Sequence, residues 1–159
     1  MGFYRCGFAQ SQEAYDRAAN DLFCTLDKLE DHLANSRYLC GDTLLTLVDI
    51  CLFTTLIRFD LAYNVLFKCT KKKLYEYVNL HAYMRDIYQL RGCSWHDGKI
   101  PKVAATCNFT EIMDGYYKIL FPLNPGSIRP IMPSTSEHEI LCTPHGRESL
   151  SSSTPAFVK

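Results

Sequence analysis

Tyrosine and cysteine are the residue types with chemistry to offer in this chain, which carries ten of the first and eight of the second. A phenol can hydrogen-bond a substrate hydroxyl while its ring stacks on another ring. Tyr4 and Tyr116 each adjoin a helix or glycine boundary. They could serve an aromatic ligand in that way, or they could be partly buried core aromatics, the reading that periodicity alone favours. A nucleophilic cysteine needs a helix N-terminus, a cation or a base beside it. Cys6, next to Arg5 near a helix start, comes nearest, although Arg5 can equally point to water. Cys6, Cys24, Cys40, Cys51, Cys69, Cys93, Cys107 and Cys142 include no pair separated by only two residues. Neither a zinc knuckle nor a dithiol redox motif is therefore encoded. Several, such as Cys24 and Cys51, fall at apolar positions, as reduced cysteine does when it acts as a small hydrophobe. The five histidines are far apart with no ligand spacing, so no metal site is expected. Phosphate-cradling glycine loops, HExxH, GxSxG and EF-hand motifs are absent from the sequence.

The bulk composition narrows the remaining classes. The 159 residues suffice for one domain with a real core, and 47% of them are hydrophobic. Lys plus Arg and Asp plus Glu balance at 17 each. That balance gives no field to gather nucleic acid or anionic lipid. Lys71-Lys72-Lys73 is a short basic run that reads as a solvated loop before it reads as a phosphate contact. The first twenty residues are polar and hold no signal-peptide core. The most apolar stretch, 44–57, carries Asp49 and is too short to span a bilayer. The expected setting is cytoplasmic, with a plastid form allowed for a longer chain.

Four helices must position these side chains. The first spans about 11–35, with Tyr15, Ala18, Leu22, Leu26, Leu29 and Leu33 on one stripe and Ser11 as cap. Thr46-Leu47-Val48-Asp49 reads as a capping box opening a second helix over about 47–64. That helix is apolar nearly all round, as a central bundle helix is. Its charges, Arg58 and Asp60, must pair or reach the rim. A third helix covers about 80–90 and a fourth about 109–120. Residues 90–99 form an aperiodic loop. Beyond Pro122 the prolines allow draping but no further helix. The expected organisation is an all-α domain over 1–133, followed by a disordered tail over 134–159.

Several blocks in order resemble the C-terminal domain of glutathionyl-hydroquinone reductases, the xi-class, omega-like glutathione transferases. They are the stretch Tyr4 to Asp16, then Arg37-Tyr38-Leu39-Cys40-Gly41-Asp42, and then Leu56 to Asp60 with Tyr63 and Phe67-Lys68-Cys69. Arg85 to Gln89, Tyr116-Tyr117, Asn124-Pro125-Gly126 and Pro144-His145-Gly146-Arg147 follow. The Thr46–Asp49 box is less specific, being similar to glutathione transferases at large.

The resemblance implies a helical bundle of the transferase C-terminal type, truncated on its N-terminal side. It implies reduction of glutathionyl-hydroquinones by thiol exchange, with glutathione as co-substrate. The family's attacking cysteine lies in a Cys-Pro motif of a thioredoxin-like domain, and no cysteine in this sequence precedes a proline. The resemblance therefore assigns no catalytic residue here. It makes Tyr4 and Tyr116 substrate-binding residues and Thr46 and Asp49 a structural cap. It also implies inactivity for the chain by itself, as a short isoform or interaction module. A bare apolar face on the first or second helix should remain, suited to a homodimer or to a heterodimer with a full-length relative. Residues 90–99 stand as an insertion relative to the family, in a loop where added length costs little.

Overall fold

The computed structural model describes residues 2–41, 44–91, 94–95, 98–99, 102–120, 122–132 and 137–151. Helix α1 (Gly2–Gly7) lies against the long α2 (Gln12–Leu33). Ser11 caps α2 by accepting the Ala14 N–H at 3.2 Å. The stripe of α2 buries Ala18, Leu22, Phe23, Leu26 and Leu33. The facing surface comes largely from α5 (Val78–Tyr88), whose Leu80, Tyr83, Met84, Ile87 and Tyr88 are all buried.

The α2–α5 contact also explains where α5 begins. Glu30 of α2 accepts the Asn79 N–H at 2.8 Å, the Asn79 amide at 3.0 Å and the Leu80 N–H at 2.8 Å. A carboxylate from another helix thus satisfies the first free amides of α5 at its positive end. Local sequence could not announce this cap, and α5 starts two residues before the expected Leu80.

Helix α3 (Leu47–Leu56) opens with the box formed by Thr46 and Asp49. Asp49 Oδ2 accepts the Thr46 N–H at 2.8 Å and the Thr46 hydroxyl at 2.7 Å. Asp49 Oδ1 accepts the Leu39 N–H at 2.9 Å and the Tyr83 hydroxyl at 3.0 Å. One fully buried carboxylate therefore ties the loop after α2, the start of α3 and the middle of α5 together. Burial alone would push the Asp49 carboxyl up. The donors from Leu39, Thr46 and Tyr83 outweigh that cost and hold it below its ordinary value.

Three expectations are corrected here. The second helix does not run unbroken to Asn64. It stops at Leu56 and passes through a π-helical turn, Phe59–Tyr63, into the short α4 (Asn64–Leu66). The Arg58 carbonyl accepts both the Ala62 N–H at 2.9 Å and the Tyr63 N–H at 3.3 Å, the mark of one extra residue in the turn. Nor is α3 enclosed all round: Leu47 is 77% and Val48 53% exposed. An all-apolar helix can be central, or it can have one bare face, and composition does not separate the two.

The third correction concerns the tail expected over 134–159, of which 137–151 are described and the rest lies outside the described residues. Residues Glu137–Leu141 form α7, Glu148–Leu150 form a 3-10 turn, and Leu141 and Arg147 are buried. Polar composition suggested disorder, but two residues supply the missing burial. Leu141 joins the main core. Arg147 donates to the carbonyls of Leu33 (2.9 Å), Ser36 (2.6 Å) and Arg37 (3.0 Å), just where α2 ends.

Between α5 and α6 (Phe109–Tyr117), the loop at 90–99 contains a two-residue antiparallel hairpin. It pairs Ser94 with Lys99 and Trp95 with Gly98. Among the described residues this is the only strand ladder beyond the isolated bridge Tyr38–Gly41, and the domain is all-α in class. The lysine run lies on aromatic rings: Lys72 Nζ is 3.5 Å from the Tyr77 ring centroid, with Lys71 over Phe23 and Lys73 over Tyr75. No described helix is long and apolar enough to cross a membrane.

Candidate functional site: a cleft lined by phenols

Three elements converge on a cleft of about 480 Å³: α1 with Tyr4, the end of α3 with Phe53, Thr54, Ile57 and Arg58, and α6 with Glu111, Ile112, Gly115 and Tyr116. Thr106, Cys107, Asn108 and Leu120 complete its rim. The structure thus brings Tyr4 and Tyr116, more than a hundred residues apart in sequence, to one wall.

An aromatic stack behind the wall sets their positions. Phe3 stacks on Tyr63 at 4.7 Å, Tyr63 stacks on Phe67 at 5.3 Å, and Tyr4 leans on Phe67 at 4.8 Å. Tyr116 meets Tyr63 edge-on at 5.4 Å. Such offset and edge contacts add to the burial of the rings themselves. Gly7 permits the approach of α1, because a Cβ there would stand 2.5 Å from Phe67 Cδ1. Lys68 leaves the stack with φ of 57°, and the Tyr15 hydroxyl holds its carbonyl at 2.6 Å.

The hydroxyls form a chain. The Tyr63 and Tyr116 oxygens are 2.9 Å apart. Tyr4 stands next in line, and the neighbouring Tyr116 hydroxyl together with burial raises its pKa. Burial raises Tyr63 and Tyr116 as well, while the Arg58 guanidinium pulls all three the other way. All three are therefore neutral phenols at pH 7, and Tyr4 and Tyr116, which line the cleft, can donate to an oxygen in it. Tyr4 remains 37% exposed, so one edge of the chain is open to a ligand. Arg58, anchored on the Thr54 carbonyl, supplies the positive charge of the cleft.

Tyr63, Phe67 and Arg58 were not singled out as site residues from sequence. On an uninterrupted helix, Tyr63 would share the face of Phe59. The π turn swings it toward α6, and no local signal marks that turn. Cys6, the cysteine that came nearest to a nucleophile's setting, is 1% exposed and burial pushes its thiol up, as in a packed thiol. Cys24 and Cys51, expected among the apolar contacts, are exposed. Among the described residues no group of His, Cys, Asp or Glu could hold a metal ion.

Residues 12–86 match the family model for the glutathione S-transferase C-terminal domain. The chain belongs to that family. The chain is 42% identical over 147 residues to the glutathionyl-hydroquinone reductase YqjG of Escherichia coli, covering 92% of this chain and 40% of that protein. It superposes on the glutathione-bound structure of YqjG with a TM-score of 0.78, covering 92% of this chain and 43% of the other. A xi-class glutathione transferase from Natrialba magadii gives 0.80 at 38% identity, over 93% of this chain and 41% of the other. The chain therefore spans about 40% of the length of the curated relatives it matches.

Proposed function

We propose that this transferase domain forms the aromatic-substrate wall of a glutathionyl-hydroquinone reductase. The observation that carries the reading is the convergence of Tyr4 and Tyr116 on one cleft beside Arg58, with buried Tyr63 hydrogen-bonded to Tyr116 from behind. In this reading a hydroquinone ring lies in the cleft against Tyr4 and Tyr116, and its hydroxyls meet their phenol donors. From the keto tautomer of the adduct, whose sulfur-bearing carbon is sp3, attack on the glutathionyl sulfur sends the carbon–sulfur electron pair into the ring, and negative charge develops on the quinol oxygen. Neutral phenols with raised pKa values and a nearby guanidinium stabilise that charge more than they stabilise the ground state.

The thiol that attacks the glutathionyl sulfur comes from a separate domain, which also holds glutathione. Exposed Leu47, Cys51 and Thr54 form a stripe along α3 that leads to Arg58 at the cleft. That stripe is where such a domain seats. The free thiols of all seven described cysteines suit a reducing cytoplasm.

The test titrates the purified chain with glutathionyl-hydroquinone and follows quenching of tyrosine emission. Saturable quenching is expected, weakened about five- to tenfold by Tyr116→Phe or Tyr4→Phe, as loss of one hydrogen bond to a polar ligand predicts. Turnover is expected only when a thiol-bearing domain of a relative is added. Turnover by the chain unaided, or binding indifferent to both substitutions, would overturn the proposal.

A second reading has the same bare α3 face as its observation. Leu44, Leu47 and Val48 could instead pair two copies of the chain, or one copy with a full-length relative. Light scattering at micromolar concentration separates the readings: a monomer counts against self-pairing.

A further inference from the structure

A second cavity, of about 390 Å³, shares only Ile57 with the phenol cleft. It lies between the end of α3, the π turn, α5 and α7. Its walls are largely apolar, with Leu56, Leu61, Met84 and Leu141 buried around it. Val65, Tyr75 and Ile131 line it too and are exposed, so the cavity has an apolar rim. An enclosed apolar space with a few polar groups set into it is the usual form of a small-molecule site.

The polar groups in these walls are mostly acceptors. Asp60 Oδ1 accepts the Leu74 N–H at 2.9 Å, and Glu137 of α7 lines the same space. Burial raises both carboxyls, and the Asp60 charge raises Glu137 further, as two acids do when no cation stands between them. Exposed Lys73 and Glu76 act on Asp60 with opposite signs. Burial, followed by the Arg85 charge, holds His81 below its ordinary value, so the ring is neutral and adds no positive charge. Asn64 is the independent sign of a ligand. It is 7% exposed and lines the cavity, and its Nδ2 donates to the Cys69 carbonyl at 3.1 Å. Its Oδ1 has no partner among the described residues. A side-chain oxygen so enclosed is normally bonded, and the cavity is where its donor would stand.

We propose that this cavity binds a small apolar primary amine in its ammonium form, its head toward Asp60, Asn64 and Glu137 and its body against Leu56, Leu61 and Met84. An ammonium group carries three N–H donors and no acceptor, which matches three acceptor side chains. Its charge relieves the repulsion between the two carboxylates, and each bond it makes to them is charge-assisted. The hydrocarbon body leaves water for the apolar walls. Because the ammonium favours ionised carboxyls, binding strengthens as pH rises through their folded values and is lost below them.

The purified chain, with isotope-labelled methionine methyl groups, is titrated with 1-aminoadamantane and followed by NMR. The uncharged counterpart, 1-adamantanol, is titrated in parallel. The amine is expected to shift the methyl groups of Met84 and Met132, which line the cavity, and to leave that of Met113 in α6 unmoved. The alcohol is expected to bind about tenfold more weakly, and Asp60→Asn or Glu137→Gln to weaken the amine by about tenfold each. Amine affinity should fall as pH drops into the raised carboxyl range, and alcohol affinity should not. The amine-to-alcohol ratio and its pH dependence are read on the unaltered chain, so they decide the matter even if a variant fails to fold. Equal affinity for amine and alcohol, shifts led by Met113, amine binding indifferent to pH or to both substitutions, or no binding of the amine each overturns the proposal.

Discussion

The phenol cleft and the arginine latch at the C-terminal segment are built from buried polar groups in opposite ways. In the cleft, hydroxyls partner one another and keep one side open, and the shape comes from ring contacts. In the latch the charges of Arg37, Asp86 and Arg147 are turned inward. Arg37 grips Asp86 through two hydrogen bonds of 2.8 Å. His145 Nδ1 accepts the Arg147 N–H at 3.1 Å, so its Nε2–H faces Asp86 at 3.5 Å and Glu148 at 3.4 Å. Arg147 fills the carbonyls at the end of α2. The contrast separates two uses of polarity. Groups satisfied by backbone and counter-ion hold the fold, and groups satisfied only by each other are available to a ligand.

The largest test breaks the latch. Arg147→Met is expected to cost about 3–5 kcal/mol, because it strands carbonyls of Leu33, Ser36 and Arg37 that have lost access to water. Urea unfolding followed by circular dichroism measures it. Hydroquinone binding by the fraction that stays folded should be unchanged. A loss below about 1 kcal/mol would make the latch a surface contact.

Asp49 gives the next effect and fixes the acid limb of stability. Its folded pKa is depressed, so its contribution is complete above the ordinary value of 3.8 and is lost as pH falls through the lower folded value. Asp49→Asn keeps the size but spoils the four-donor arrangement, and is expected to cost about 2–3 kcal/mol at pH 7. The variant should also show a flatter decline in melting temperature below pH 4. Asp60 and Glu137 work in the other direction. Burial raises Asp60, and burial followed by the Asp60 charge raises Glu137, so their contributions weaken as pH rises through the folded values.

These two regions also differ in how far the sequence revealed them. The α2 stripe and its Ser11 start were legible because amphipathic period and a cap are local signals. Asp49 was legible for the same reason, although its partners Leu39 and Tyr83 were not. The latch was hidden: Arg147 sits in a stretch rich in Ser, Thr, Glu and His, and its partners lie 110 to 114 residues away. In the cleft, Tyr4 and Tyr116 came from the family resemblance, since periodicity placed them in the core. Tyr63 escaped because its orientation depends on one extra residue in a helical turn. A pattern of 3.6 residues contains no term for that.

A smaller change tests whether the cleft is organised for binding more than for stability. Tyr63→Phe removes one hydroxyl and leaves the ring stack with Phe3 and Phe67 intact. About 1 kcal/mol of stability should be lost with the single hydrogen bond to Tyr116. Ligand affinity should fall several-fold, because Tyr116 is no longer oriented from behind. Titration and urea unfolding of the same preparation compare the two. A stability loss matching that of Arg147→Met would erase the distinction between the regions.

The smallest expected effect has the opposite sign. Gly115 lies within α6 and lines the cleft, and a Cβ built there meets nothing within 4 Å. Glycine inside a helix is disfavoured against alanine by about 0.5–1 kcal/mol. Gly115→Ala should therefore raise the melting temperature by a few degrees, with no clash to offset the gain. The methyl group would stand in the open cleft beside Tyr116, where a substrate ring needs room. A more stable domain with weaker quinol binding is the expected result, read by a thermal melt and the same fluorescence titration. Gly115→Val should exaggerate the loss of binding. If both variants bind as the parent does, the space in front of Tyr116 is not where the ring sits, and the glycine would reflect only the packing of α6.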